Sequence, residues 1–425
     1  MRFVAAAFTM MLCAMAATAA AQIPNPMDSI ARMPSFRPAH DTIPLITAKR
    51  IAALPEKQRR AWEAYLDSSR AQNARDTVAM QSELAKTGRK EMLRAPYAHG
   101  FEVDDHMTPG WFASDSAQRM ADVILSFQAP NGGWSKHVDF SVGPRQPGQS
   151  YFSETEKWSW ISTIDNSATT EEMHFLALAD KARHDQRYID AFNRGVKYLL
   201  ASQYPNGCWP QVWPLQGSYH DAVTFNDDAT MNAASLLQEV ATGKYPYVSA
   251  QDVTRSLAAV DKTVACVLDA QAVVDGKLTV WGQQHDPISL EPTSARSYEL
   301  TSLTAQESAT IMRFLMKVKS PSARVVNAVH AAANWSNANQ LSGFTYTFDG
   351  GRKEAPGAGP VWARMYEIGT NKPIFSDRNG IKLYDWNQLK DRRQGYGWYT
   401  YAPVAALKQY ATWATKHPRA AGREK

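Results

Sequence analysis

ILSFQAPNGGWSK (residues 124–136) and LLASQYPNGCWPQ (199–211) share one pattern. Gln128, Pro130, Asn131, Gly132 and Trp134 return as Gln203, Pro205, Asn206, Gly207 and Trp209, each 75 residues later. A looser copy, VLDAQAVVDGKLTVWGQ (267–283), keeps Gln271, Gly276 and Trp281 around a longer loop, and a Gly-rich loop ending at Trp362 reads as a more decayed fourth. Repetition at this spacing marks one supersecondary unit used several times.

The flanks say what the unit is. Met120, Val123, Ile124 and Phe127 fall at helical spacing. So do Ile189, Phe192, Val196, Leu199 and Leu200, and then Val253, Leu257, Val260, Val264 and Val267. The first two helices run into Pro and Asn-Gly, and the third into Asp-Gly, which stop them. Second helices are expected near 168–182, 229–242, 302–318 and 322–336, and strand alternation is scarce. Helical hairpins repeating every 60 to 75 residues predict an all-α chain: an α/α toroid or an open α/α array, with an irregular helical bundle as the plain alternative.

The first residues point to export. Arg2 precedes the apolar run VAAAFTMMLCAMAA, and ATAAAQ offers small residues for cleavage between Ala21 and Gln22. The expected organisation is a signal peptide at 1–21, an extension and helical lead-in at 22–95, a toroidal catalytic domain at 96–415 and a short tail at 416–425. No other apolar run has membrane length. A formal charge of +5 without a basic run gives no reason to expect nucleic acid. Only Cys208 and Cys266 follow the signal, and their pairing cannot be read from sequence. Thirteen Trp and seventeen Tyr suit carbohydrate contacts and equally suit helix packing.

Three polar stretches precede the second helices: TIDNSATTEEMH (163–174), TFNDDATMN (224–232) and EPTSARSYELTSLTAQES (291–308). They put Asp165–Asn166, Asp227–Asp228 and Arg296 at similar places in successive repeats. In a closed ring such ends face one another, so acids and a cation from distant residues would converge. Capping is the ordinary reading of each alone: Asp228 directly precedes its helix, and Thr169–Glu172 and Thr304–Glu307 have capping-box spacing. Asp165 lies several residues upstream of its helix, with Asn166 beside it, where capping is the weaker reading. Carboxylates with amide and hydroxyl oxygens suit Ca²⁺ above Zn²⁺, and the ten His residues show no zinc spacing. GPVWARMYEIGTNKPIFSDRNGIKLYD (359–385) and DRRQGYGWYTYAP (391–403) add Arg364, Lys372, Arg378 and clustered aromatics, which together would grip a carboxylated sugar chain.

The ordered set SFQAPNGGW, TIDNSATTEEMHFLA, QYPNGCWPQVWPL, TFNDDATMN, SARSYELTSL, VWARMYEIGTNKPIFSDRNGIKLYD and RRQGYGWY resembles polysaccharide lyase family 10, over roughly residues 45–412. The resemblance implies an (α/α)₃ toroid and a pectate lyase that cleaves de-esterified homogalacturonan (polygalacturonate) by Ca²⁺-dependent β-elimination, acting as a monomer. It implies Asp165, with Asn166 beside it, at the catalytic Ca²⁺. It puts Asp227, in the pair Asp227–Asp228, at metal and substrate with Thr230 nearby, and gives Arg296 as the base. Arg364 and Arg378 would hold substrate carboxylates. Ser297, Tyr298 and the Ser-Asp before Arg378 depart from the commoner family pattern without removing a reacting group.

A guanidinium is an awkward base, with an ordinary pKa of about 12.5 or more. Crowding by Ca²⁺, Arg364 and Arg378 is expected to depress that of Arg296. The competing readings are a lyase for another uronide, an inverting glycoside hydrolase using Asp165 and Asp227, and a uronide-binding protein without turnover.

Overall fold

The computed structural model describes residues 45–153 and 160–419. The expected signal peptide, the extension up to residue 44 and the last residues of the tail lie outside the described residues. The lead-in is helical as expected: α1 (Ala48–Ala52) and α2 (Glu56–Thr87), the latter ended by left-handed Gly88. Trp62 of α2 packs on Tyr204 with ring centroids 4.9 Å apart, and the Tyr65 hydroxyl donates to the Ser202 carbonyl at 3.0 Å. These contacts fix α2 on the second repeat.

The repeated helices follow: α3 (Pro109–Phe112), α4 (Asp115–Ser126), α5 (Thr170–Ala182), α6 (Gln186–Ser202), α7 (Ala229–Ala241), α8 (Ala250–Ala270), α9 (Ala305–Met316), α10 (Ala323–Ala338) and α11 (Ala402–Lys416). α5 packs on α6, α7 on α8 and α9 on α10, so the hairpins are real. α4, α6, α8 and α10 begin with side-chain caps from Ser114, Asp185, Ser249 and Ser322. α5, α7 and α9 begin without one, at Thr169, Asp228 and Thr304. The capping reading of Asp228 and of the two Thr–Glu spacings is therefore set aside: the Thr169 hydroxyl serves the Thr163 and Trp134 carbonyls instead.

The repeated loop motif is a clamp. Trp134, Trp209, Trp281 and Trp362 are fully buried, and each indole N–H donates to a carbonyl of a preceding helix: Ile124, Leu199, Val267 and Ser336, at 2.7 to 2.8 Å. Trp362 is thus a true fourth copy. The repeated Gln bridges its own loop to the next hairpin. Gln128 Nε2 donates to Gly132 and Ala191 carbonyls, both at 2.8 Å. Gln203 does the same with Gly207 and Ala259, and Gln271 with Thr279 and Ala328. Gly132 and Gly207 are obligatory, because a Cβ would lie 2.6 Å from the Arg194 carbonyl oxygen and 2.3 Å from that of Lys262. A disulfide joins Cys208 to Cys266, tying the second loop to α8.

The all-α (α/α)₃ toroid expected from sequence does not hold. Among the described residues, helices alternate with fifteen short strands in seven small sheets. Many are two residues long, too short to show alternation in sequence. They form a ladder across the uncapped helix starts. Thr163, Thr224 and Thr304 donate backbone N–H groups to the Trp134, Trp209 and Trp281 carbonyls, at 2.9, 3.0 and 2.8 Å. The next residues, Ile164, Phe225 and Ala305, donate to Gln211, Gln283 and Arg364 in the following repeat, at 3.2, 3.0 and 3.1 Å. Hairpins and β segments therefore form one mixed frame, and the ladder carries the polar residues.

Candidate active site

Two places in the repeat supply most of the site. The first is two residues after each Trp, which gives Lys136, Gln211, Gln283 and Arg364. The second is a tight 3₁₀ turn, Asp165–Ser167 in one repeat and Asn226–Asp228 in the next. Asn166, Ser167, Asp227 and Asp228 all have left-handed φ, between 47° and 62°. Such conformations are costly away from glycine and are held here by the surrounding bonds. Thr169 and Thr230 lock the turns, donating to the Thr163 and Thr224 carbonyls at 2.8 and 2.5 Å.

The two turns meet. Asn166 Nδ2 donates to Asp227 Oδ2 at 3.1 Å, and Asn226 Nδ2 donates to Asp165 Oδ1 at 3.2 Å and Asp227 Oδ2 at 2.9 Å. Lys136 Nζ completes the group, 2.6 Å from Asp165 Oδ2 and 3.3 Å from Asn166 Oδ1. Burial alone would raise the Asp165 carboxyl, but Lys136, with Arg296 and His137 adding, holds it below its usual range.

Arg364 lies on the other side. Its Nη2 donates to Asn226 Oδ1 at 2.9 Å, Asp227 Oδ1 at 3.2 Å and Glu307 Oε1 at 2.7 Å. Gln283 Nε2 also donates to Asn226 Oδ1, and reaches Glu299 Oε1 at 3.1 Å. Glu299 in turn holds Arg296: its Oε2 accepts from Arg296 Nε at 2.7 Å and its Oε1 from Nη2. The Glu299 side chain is 3 % exposed and that of Arg296 is 42 % exposed. A buried carboxylate thus aims an accessible guanidinium outward.

Sequence-predicted residues separate accordingly. Asp165, Asn166, Asp227, Arg364 and Arg296 belong to one continuous hydrogen-bonded network. Thr230 is fully buried and spends its hydroxyl on the turn, so it cannot face a ligand without releasing that bond. The Asp228 carboxyl hydrogen-bonds to Thr310 and is pushed up to about 6 by burial, with Glu307 and Asp227 adding. The expected set of Asp165, Asp227 and Asp228 is not assembled: among the described residues no group of three or more Asp, Glu, His or Cys is placed to hold a metal. Arg378 pairs with Asp391 at 3.4 Å and lies close enough to Tyr298 to affect its ionisation. Lys372 is exposed on a separate loop, its ammonium 5.8 Å from the Tyr384 ring centroid.

The Arg296 guanidinium also departs from expectation. Burial works against its charge, but Glu299 outweighs burial and raises its pKa well above the ordinary value. The sequence offered Arg364 and Arg378 as cationic neighbours and gave no sign that Glu299, three residues on, would fold back onto Arg296.

Lys136, Asn226, Gln283, Glu299 and Glu307 were missed in the sequence. Lys136 and Gln283 were discoverable, since both stand two residues past a repeat Trp. Asn226 occupies in its turn the place of Asp165 in the other. The donor set that remains, two carboxylates with the Asn166 and Asn226 amides, is hard and oxygen-rich and fits Ca²⁺ in type. A cavity of about 400 Å³ beneath α2, lined by Ile46, Leu66, Leu215 and Asp221 among others, lacks this convergence of charge.

Residues 128–406 match a family model described as pectic acid lyase. The family 10 polysaccharide lyase from Cellvibrio cellulosa is similar in structure, with a TM-score of 0.63 and 34% identity, covering 75% of this chain and 99% of that one. An aspartate-to-alanine mutant of the Cellvibrio enzyme, in complex with trigalacturonic acid, matches with a TM-score of 0.64 and 35% identity over 75% of this chain and 100% of that one. No curated protein matches. With the match covering well over half of its length, the chain belongs to the pectic acid lyase family and is a polysaccharide lyase.

Proposed function

We propose that this chain is an exported pectate lyase that cleaves de-esterified homogalacturonan by Ca²⁺-dependent anti β-elimination. The observation that carries the reading is the joining of Asp165 to Asp227 through two amides, with the accessible Arg296 in the same network. Family membership supports elimination over hydrolysis. The Cellvibrio complex supports an oligogalacturonate substrate. The Cys208–Cys266 disulfide supports an oxidising compartment and hence export. No described helix is long and apolar enough to cross a membrane.

Elimination starts at C5, whose proton is weakly acidic because its electrons can spread onto the adjacent carboxylate. As the C5–H bond breaks, charge builds on that carboxylate, and donors aimed there lower the barrier most. Arg364 is suited to this role, fixed by Glu307 and Asp227 with its fork already oriented. Arg296 takes the proton at its guanidine nitrogen. The C5 electron pair forms the C4–C5 double bond, and the C4–O4 bond breaks with its pair going to O4, which leaves on the opposite face and takes a proton from water. Ca²⁺, held by Asp165, Asp227 and the Asn166 amide, would supply further neutralisation of the substrate carboxylate.

Glu299 orients Arg296 and also holds its proton, so the basic form is favoured only at alkaline pH. Each pK unit between the two costs about 1.4 kcal/mol. Mass spectrometry of products from polygalacturonate tests the reading. Elimination leaves one fragment short of the elements of water relative to its hydrolytic counterpart; fragments carrying that water would overturn the proposal.

A further inference from the structure

We infer that Arg392 is a substrate-binding residue that grips the carboxylate of a uronate neighbouring the one that reacts. The inference rests on the proposed polyuronide substrate and adds a subsite residue to it.

Three guanidiniums gather round two buried rings. The Cζ atoms of Arg364, Arg392 and Arg296 lie 5.0, 5.6 and 5.8 Å from the Tyr396 centroid. Arg392 and Arg296 also share Tyr298, at 4.2 and 5.0 Å. Two of the three charges are answered inside the protein: Arg296 by Glu299, and Arg364 by Asp227 and Glu307. Arg392 is different. Among the described residues no carboxylate lies within ion-pairing distance of it, its Nη2 donates only to the Gly395 carbonyl at 2.9 Å, and its Nε is buried without an acceptor.

Its neighbours make this costly. Burial weighs against the Arg392 charge, Arg296 and Arg378 both press on it, and beside it lie the uncharged faces of Tyr298 and Tyr396. A half-buried cation among cations is unfavourable until an anion arrives. The side chain is nevertheless held ready. Its backbone N–H donates to Asp377 Oδ1 at 2.9 Å, its carbonyl accepts from Trp398 Nε1 at 2.7 Å, and its guanidinium lies over the Tyr298 ring. A polyuronide offers one carboxylate per sugar, and Arg392 stands one ring away from Arg296. The fork geometry of guanidinium suits a carboxylate in two-bond contact. A methyl ester at that neighbouring sugar would remove the contact, which makes Arg392 a determinant of preference for de-esterified chains.

Calorimetric binding of trigalacturonate to the wild type, Arg392→Gln and Arg392→Lys, beside thermal unfolding and steady-state kinetics on polygalacturonate, tests this. The expected result is binding about tenfold or more weaker in Arg392→Gln, with a raised KM, a largely retained kcat and an unchanged unfolding midpoint. Arg392→Lys should recover part of the affinity. Affinity and KM within twofold of wild type in Arg392→Gln would overturn the inference, as would equal losses in both variants with a lowered midpoint. A wild type that cleaves while the Gln variant is unaffected removes only this inference. A wild type that neither binds nor cleaves removes it together with the functional reading.

Discussion

Glu299 closes on Arg296 from two sides, accepting from its backbone N–H at 3.1 Å and from its side-chain Nε at 2.7 Å. The carboxylate itself is buried and shared with Gln283 and Tyr396, at 3.1 and 3.2 Å. The relationship is double-edged, because the group that aims the guanidinium also stabilises its protonated form. Glu299→Gln keeps the shape and removes the charge. With Arg296 as base, the pH at which the variant's kcat/KM rises should move down by about one unit or more. A rise that stays in place while activity falls at every pH would show Arg296 acting as a fixed charge.

The paired turns make a second prediction. Asp165 and Asp227 are the carboxylates that the Asn166 and Asn226 amides hold together. Asp227→Asn removes one formal charge from the oxygen set while Glu307 still anchors Arg364. Calorimetry should show Ca²⁺ affinity lower by about tenfold or more, with turnover lower by about a hundredfold or more. Unaltered Ca²⁺ binding in Asp227→Asn would remove that residue from the metal site.

Stability should depend on Glu172 at alkaline pH. The residue is 2 % exposed, and burial pushes its carboxyl up to about 8. Its folded pKa thus exceeds the unfolded value of about 4.3. Below both values it has no effect, and between them the unfolded chain loses its proton first, so stability falls as pH rises towards 8. Glu172→Gln removes that loss. Urea unfolding should find the variant close to wild type at pH 4 and more stable by about 3–5 kcal/mol at pH 9; no gain at pH 9 would contradict a buried neutral carboxyl.

The repeat clamp can be broken at one atom. Gly207 has φ of 101°, and a Cβ there would lie 2.3 Å from the Lys262 carbonyl oxygen. Gly207→Ala should cost about 3 kcal/mol or more, combining backbone strain with overpacking. Gly243→Ala is the control, since it shares a positive φ but meets no atom within 4 Å. Equal chemical-denaturation midpoints for the two would mean that close approach at Lys262 contributes nothing.

What sequence revealed follows the length of the signal. Most helices of a dozen residues or more showed their periodicity, so α4 to α10 fell where expected, while α11 was not singled out. The first two Trp loops were legible because five residue types recur together, and the later two because Gly and Trp persist. The two-residue β segments were not, since a strand that short has no alternation to display, and the all-α expectation failed there. At the site, Asp165, Asp227 and Arg296 were visible as charged residues in recurring positions, and Arg364 as a cation among clustered aromatics. Glu299 and Glu307 were not, because a carboxylate that folds onto a guanidinium looks like any other surface acid in one dimension. Thr230 misled for the opposite reason: a hydroxyl beside two carboxylates is spent entirely on the local turn.

The most direct measurement is ultraviolet absorbance of the C4–C5 double bond during incubation with polygalacturonate at alkaline pH, first with chelator and then with Ca²⁺ restored. The account predicts no rise under chelation and a steady rise once Ca²⁺ returns. Absorbance that climbs equally in chelator would contradict Ca²⁺-dependent elimination at Asp165 and Asp227.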